Sequence, residues 1–242
     1  MNTITRKFAF TILAVLCRLA VLHATPSTII WIPSVDFQPF GTFHFGVDNY
    51  FTVFKKGIGQ GGVGFPTDVG LTAGVLPFEK IQAEVGVDLL EPTQSPWTFN
   101  AKIGIPESAF GSWSPAISVG GVNFGVEKNL TDYNIIYGVI AKTLPVVGRL
   151  SVGYYSGNKV LLVDNNGNAD NKGILLSWDK QVTEINDNLW LAIDYQGGKS
   201  SLGALSCGFA WSFSKNVSVL IARDFYNNNA PATMTTQLDI NL

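Results

Sequence analysis

Apolar and polar residues alternate with a period of two along most of the chain from Phe43 to the C-terminus. In the segment 97–105, with the sequence WTFNAKIGI, the odd positions are apolar and the even positions are small or polar. A period of two is typical of β-strands, because successive side chains point to opposite faces of a sheet. The pattern therefore predicts an all-β protein in which each strand separates two different environments.

Twelve strands are predicted from this alternation. They lie near residues 41–54, 67–76, 80–90, 97–105, 116–127, 133–143, 149–156, 173–180, 187–196, 202–213, 217–225 and 233–242. An even number of strands allows an antiparallel barrel to close with both termini at the same end. The double glycine Gly120-Gly121 interrupts the alternation and predicts a bulge in the fifth strand.

The lengths of the connections support a barrel with two different ends. Three of the shortest connections, at residues 77–79, 145–147 and 214–216, fall at the end that holds the termini. The longest, at residues 55–66 and 157–172, both fall at the opposite end. Outer-membrane barrels show this division, since their short turns face the periplasm. The connection at residues 106–114 is an exception, because it is long for a periplasmic turn.

The charge content indicates which face of the strands meets solvent. Only 14% of the residues are charged, against a typical 25% or so in soluble domains. A soluble barrel would cover its outer face with lysine and glutamate, so we expect the apolar face to contact lipid. The predicted fold class is an all-β, transmembrane, antiparallel up-and-down β-barrel of about 12 strands. A soluble or periplasmic barrel with its apolar face inside is the alternative.

The N-terminus has the features of an export signal. Arg6 and Lys7 precede a largely apolar stretch at residues 8–22, and Ala24 is a plausible cleavage position. We predict a signal peptide at residues 1–24, a single barrel domain at residues 25–242 and a location in the bacterial outer membrane. Removal of the leader would change the net charge from −2 to about −5. No basic stripe is present, so nucleic acid is not an expected partner.

The chain ends in an alternating segment at residues 235–242, with Leu242 as the last residue. This segment resembles the C-terminal assembly signal of bacterial outer-membrane barrels, which usually ends in an aromatic residue. The resemblance covers the mature chain at the level of architecture, and no motif narrows it to a named family. It implies the barrel-assembly machinery, outer-membrane lipid and lipopolysaccharide as partners.

The polar face of the strands carries the candidate functional residues. The predicted lumen-facing set is His44, Asp48, Asp68, Glu84, Asp88, Lys102, Asp194 and Asp239. Pairing the apolar residues of the second and third strands, with Val69 opposite Val87, places Asp68 opposite Asp88. The same reasoning places Glu84 within about one register step of Lys102, where the two would form an internal ion pair.

Enzymatic and metal-dependent functions are not expected. After removal of the leader, His44 is the only histidine, and Asp48 lies four residues away on the same face, roughly 13 Å at ~3.3 Å per residue. A serine-histidine hydrolase is therefore disfavoured. The glycine-rich stretch 57–62 joins two strands and opens no helix, and the acidic stretch 164–171 lacks the glycine and glutamate positions of an EF-hand loop. No cofactor or metal site is predicted.

Two functions remain open. The first is a small passive diffusion channel for solutes or ions, with a mild preference for cations because acidic groups outnumber basic ones on the inner face. The second is a closed structural or adhesion barrel that acts through the loops at residues 55–66 and 157–172. Twelve strands do not decide between them, since eight give a filled interior and sixteen a wide channel.

Overall fold

The computed structural model describes residues 27–53, 65–91 and 93–242. Within these residues, twelve antiparallel strands form one closed barrel in which every strand pairs with its neighbours along the chain. The strands are β1 (Phe43–Thr52), β2 (Thr67–Gly74), β3 (Gln82–Glu91), β4 (Trp97–Ile105), β5 (Ala116–Gly125), β6 (Ile135–Leu144), β7 (Gly148–Ser156), β8 (Lys172–Gln181), β9 (Leu189–Gln196), β10 (Ala204–Ser212), β11 (Val217–Tyr226) and β12 (Thr233–Asn241).

All twelve predicted strands are confirmed, and each predicted boundary lies within two residues of the observed one. The barrel closes where β1 pairs with β12, from His44 opposite Asn241 to Thr52 opposite Thr233. The predicted signal peptide and most of the loop at residues 55–66 lie outside the described residues. In the part of the chain that the structure covers, no helix is long and apolar enough to span a bilayer.

The outer surface of the barrel is apolar. Outward-facing side chains such as Leu71, Val85, Phe99, Ile140 and Val152 are exposed on β2, β3, β4, β6 and β7. A contiguous exposed apolar surface of this kind requires a nonaqueous surrounding. The expectation that the apolar face is the outer one is therefore confirmed, and the alternative with an apolar interior and polar exterior is not what the chain forms.

The long connection at residues 106–115 is a feature of the barrel and not an error in the strand boundaries. Glu107 anchors it, because its carboxylate lies 2.8 Å from the Lys142 ammonium and accepts hydrogen bonds from Thr143. Partial burial alone would raise the pKa of Glu107, but these bonds outweigh it and the pKa lies below its ordinary value.

The predicted bulge in β5 lies next to the Gly120-Gly121 pair. Ala101 of β4 pairs with Gly121, but Phe99 pairs with Phe124, so the register between the two strands shifts directly after Gly121.

The predicted pairing of Asp68 with Asp88 is wrong by two residues. In the structure, Val69 pairs with Leu89, and Asp88 lies opposite Gly70. Asp68 instead pairs with Asp48 across the β1–β2 ladder. A shift of two residues leaves every side chain on its original face, so the three aspartates still face the interior together.

The chain before β1 enters the barrel. Residues 27–42, which we call the lumenal segment, begin with a tight hairpin in which Ser34 N–H donates to the Ser27 carbonyl at 3.0 Å and Ile29 N–H donates to the Ile32 carbonyl at 2.8 Å. The hairpin tip lies toward the end of the barrel opposite the termini, because Trp31 stacks edge-on against Tyr50. The segment therefore spans most of the height of the lumen.

The lumenal segment runs so close to β2 that one position there requires glycine. A side chain at Gly74 would place its Cβ 2.2 Å from the Pro39 carbonyl oxygen and 2.3 Å from that of Gln38. Both neighbours are backbone atoms, and hydrogen bonds hold this backbone close to β2. Gly41 N–H donates to the Gly74 carbonyl, and Gly74 N–H donates to the Thr42 carbonyl. The absence of a side chain at Gly74 thus allows the segment to pass.

We predict that Gly74→Ala destabilises the folded barrel by about 1–3 kcal/mol, because the added methyl group overpacks against fixed backbone. Gly46→Ala is the matched control, since a Cβ at this inward-facing glycine of β1 would meet its nearest neighbour only at 3.7 Å. Urea titration of both variants in detergent, followed by tryptophan fluorescence, measures the difference. Equal unfolding midpoints for the two variants would contradict the prediction.

Candidate functional site

The interior of the barrel has two chemically different halves. The wall formed by β6 to β11 carries buried apolar side chains, among them Val139, Leu175 and Leu220. The wall formed by β12 and β1 to β4 carries most of the ionisable residues of the predicted lumen-facing set. The two halves determine where the lumenal segment packs and where space remains.

The lumenal segment packs against the apolar half. Ile29, Ile30, Ile32 and Val35 are at most 3% exposed, and they form one hydrophobic cluster with the inward-facing residues of β6 to β11. Burial of apolar surface on both sides of this contact stabilises it, at roughly 25 cal/mol per Å² removed from water. The lumenal segment thereby fills the part of the interior next to this apolar wall.

Asp194 of β9 holds the tip of the hairpin. One of its carboxylate oxygens accepts hydrogen bonds from three consecutive backbone N–H groups, those of Ile30 and Trp31 at 2.8 Å and that of Ile32 at 3.1 Å. Successive N–H groups that converge on one anion form a nest, which is a strong site for negative charge. The Asp194 side chain is almost completely buried, so it positions the tip without contact to solvent.

Arg149 of β7 holds the segment nearer the end that carries the termini. Its guanidinium forms a two-pronged ion pair with Asp36, at 2.6 and 2.8 Å, and a third contact at 2.9 Å with Asp179 of β8. Trp190 also donates to Asp179, at 3.2 Å. The planar guanidinium thus links the segment to two adjacent strands in a fixed geometry.

Glu84 and Lys102 form a third anchor. The Lys102 ammonium lies 3.2 Å from the Glu84 carboxylate, and the two residues are directly opposite each other on β3 and β4. Glu84 also accepts hydrogen bonds from Ser27 at 3.0 Å and from Gln38 N–H at 2.8 Å. The predicted ion pair is confirmed, and its further contacts attach both ends of the hairpin region to the wall.

His44 and Asp239 meet at the β1–β12 closure. His44 Nε2 lies 3.3 Å from Asp239, and Nδ1 lies 2.9 Å from the Asn241 side-chain oxygen. Asp239 also accepts a hydrogen bond from Ser218 at 3.3 Å. Both ring nitrogens of His44 are therefore occupied by groups that close the barrel.

A cavity of about 340 Å³ remains beside the lumenal segment. Its walls include Ile30 and Trp31 of the segment and the carboxylates of Asp48, Asp68 and Asp88. The cavity also reaches across the lumen to the aromatic side chains of β6 and β7. It is the space that the packed interior leaves open beside the segment.

The cavity wall carries more carboxyl groups than the ion pairs engage. Glu84 is paired with Lys102 and Asp239 with His44, whereas Asp48, Asp68 and Asp88 form no ion pair with any described residue. Asp88 accepts a hydrogen bond from Asn100 at 2.6 Å, and one oxygen of Asp68 is buried without a hydrogen-bond partner. Three carboxylates thus face the cavity without a compensating cation.

All eight residues of the predicted lumen-facing set point into the barrel. Seven of them line the cavity, and Asp194 contacts the lumenal segment instead. Sequence reasoning missed Arg149, Asp36 and the segment itself. One signal was present: residues 135–141, with the sequence IIYGVIA, are apolar on both faces of β6, which indicates that something apolar packs inside.

Among the residues that the structure describes, no group of three or more histidine, cysteine, aspartate or glutamate side chains is arranged to hold a metal ion. Asp48, Asp68 and Asp88 are carboxyl groups of the cavity wall.

Comparison with known proteins places the fold. No protein-family model and no curated protein matches the chain. Among solved structures, the KdgM porin matches at 8% identity over 82% of this chain and 97% of its own, with a TM-score of 0.50. The chain has the outer-membrane β-barrel fold. An outer membrane channel of the COG4313 group from Pseudomonas putida F1 matches at 11% identity over 86% of this chain and 98% of its own, with a TM-score of 0.49.

The outer membrane phospholipase A from Escherichia coli also matches, at 10% identity over 86% of this chain and 94% of its own, with a TM-score of 0.42. At identities this low, the likeness concerns the fold alone. What the lumen does must therefore be inferred from its own side chains.

We predict that Lys102→Met destabilises the barrel by about 3–5 kcal/mol, because it leaves the buried Glu84 carboxylate without its cation. The double variant Glu84→Gln with Lys102→Met should recover most of this loss, since it removes both charges. Urea titration of the wild type, both single variants and the double variant completes the cycle.

Lys142→Met is the control for this experiment. Its ion pair with Glu107 is about a quarter to a third exposed, so its loss should cost less than about 1 kcal/mol. An equal loss of stability in Lys102→Met and Lys142→Met would show that the buried ion pair contributes no more than the exposed one, and would contradict the prediction.

Proposed function

We propose that the protein is a small passive diffusion channel of the outer membrane with a preference for cations. The observation that carries this proposal is the row of three unpaired carboxylates, Asp48, Asp68 and Asp88, along the open cavity. Uncompensated aspartates along a narrow aqueous path attract cations and repel anions. The basic groups of the interior are already committed to Glu84, Asp36 and Asp179.

The arrangement of the three carboxylates supports a path for ions. Asp48 and Asp68 lie directly opposite each other, and Asp88 is diagonal to Asp68 on the next strand. Neighbouring strands are about 4.8 Å apart, so the three groups form a short continuous row. We call Asp48, Asp68 and Asp88 the acidic stripe. The three groups lie at about one level of the barrel, so a partly hydrated cation in the cavity would meet all three there.

We also propose that the protein is not an enzyme. His44 has both ring nitrogens engaged by Asp239 and Asn241. Among the described residues, neither nitrogen contacts a hydroxyl or thiol that could act as a nucleophile, and nucleophile activation requires such a contact. The acidic stripe has a simpler role as a charged wall.

A closed barrel that acts through its outer loops is the second candidate. Two observations favour it: the lumenal segment fills part of the interior, and the loop at residues 157–171 forms hydrogen bonds with its neighbours. Asp170 accepts a hydrogen bond from Lys199 N–H at 2.7 Å, and the Asn165 side chain donates to the Asn228 carbonyl at 2.7 Å. These contacts give the end opposite the termini an ordered surface.

We predict that the refolded protein forms cation-preferring channels in a planar bilayer, and that the triple variant Asp48→Asn, Asp68→Asn, Asp88→Asn loses the preference. The measurement is the reversal potential under asymmetric salt, which should move toward zero in the variant because the uncompensated charges are gone. Asp224→Asn is the matched control. Asp224 is an inward-facing aspartate of β11 that bonds to Thr233 and does not line the cavity.

Each result separates the two candidates. Channels with an unchanged reversal potential in the triple variant would support the channel proposal and contradict a role of the acidic stripe in ion preference. A correctly folded wild-type barrel that remains silent would favour the closed barrel, and binding assays with loop variants would then replace conductance.

A further inference from the structure

We propose that the lumenal segment is the wall that sets the size limit of the pore, and that Asp194 and Asp36 are the positioning residues that hold it there. This inference rests on the proposed channel function and adds the element that determines which solutes fit. It assigns a role to a part of the chain that is neither a strand nor a loop of the barrel.

The first argument is the distribution of attachments. The segment bonds to side chains on β3, β4, β5, β7, β9 and β12. The last of these is the Gln237 side chain, which donates to the Ile30 carbonyl at 2.8 Å. A segment tied to strands on all sides of a closed barrel is a fixed internal partition.

The second argument is the match between the segment and one half of the interior. The apolar wall at Val139, Leu175 and Leu220 is buried because the segment covers it. Without the segment, this wall would face water, and the open cross-section would increase from the cavity beside the acidic stripe to the whole lumen. A twelve-stranded barrel is intermediate between filled and wide-channel barrels, so the segment decides the usable width.

The third argument identifies the residues that hold the partition. Asp194 binds three backbone N–H groups of the tip, and Asp36 binds Arg149 through both of its oxygens. Replacement of Asp194 by alanine would leave three buried donors without an acceptor, and replacement of Asp36 would release the segment from β7. Unsatisfied buried donors disfavour the docked position.

The test compares the wild type with the double variant Asp36→Ala, Asp194→Ala. We expect the single-channel conductance to rise about twofold or more, because the segment no longer occupies part of the lumen. We also expect larger uncharged polyethylene glycols to pass in liposome-swelling assays. Displacement is followed independently by chymotrypsin cleavage at Trp31 and Phe37, read by mass spectrometry.

The control is the double variant Glu107→Ala, Asp224→Ala. Asp224 lies in the same row of the barrel as Asp194, since both residues pair with Ser206 of β10. Glu107 matches Asp36 as one partner of an ion pair with a strand residue, but it lies outside the lumen. This variant should keep wild-type conductance, size limit and protease resistance. Heat modifiability on gels confirms that each variant has folded, and Asp36→Ala alone is the milder substitute if the double variant does not fold.

The outcomes distinguish this inference from the channel proposal. Cleavage at the segment with unchanged conductance and size limit would overturn the inference and leave the channel intact. Persistent protection from chymotrypsin would overturn the roles of Asp36 and Asp194. A silent wild type with a conducting variant would support the partition while rejecting a constitutively open channel, and silence of both folded proteins with the segment released would reject both proposals.

Discussion

Closure of the backbone hydrogen-bond ladder is the constraint on which this structure depends. A strand that faces lipid has no water to satisfy its N–H and C=O groups, so each strand must have a partner on both sides. The β1–β12 pairing supplies the last partner, and His44, Asp239 and Asn241 reinforce it from the inside. Once the ladder is closed, one face of every strand belongs to lipid and the other encloses a separate compartment.

The content of that compartment follows from the cost of burying polar groups and charges. Each carboxylate that anchors the lumenal segment has a specific partner: Lys102 for Glu84, Arg149 for Asp36 and Asp179, and backbone N–H groups for Asp194. Charges removed from water are tolerated when they are paired and hydrogen-bonded. The three aspartates that lack a cation lie where the segment leaves a cavity, so the carboxyl groups without an ion pair and the open space occur together.

Local periodicity explains why the strands could be predicted and one register could not. Within one strand, the face of each residue depends only on whether its position is odd or even, so all twelve strands and the inward set were accessible from the chain alone. Pairing Val69 with Val87 or with Leu89 keeps apolar residues on the same face, because the two registers differ by two residues. Apolar matching therefore does not separate them, and the pairing of Asp48 with Asp68 is visible only in the assembled barrel.

The sequence by itself determined the topology, the lipid-facing surface and the acidic character of the interior, because these properties repeat every two residues and need no distant contact. Only the tertiary structure decided what fills the lumen. Residues 27–42 have no alternation to mark them, and their partners are far along the chain, with Asp194 being 164 positions from Ile30 and Gln237 being 207. Contacts of that separation exist only in the assembled barrel, where β9 and β12 lie around the segment, and no local pattern encodes them.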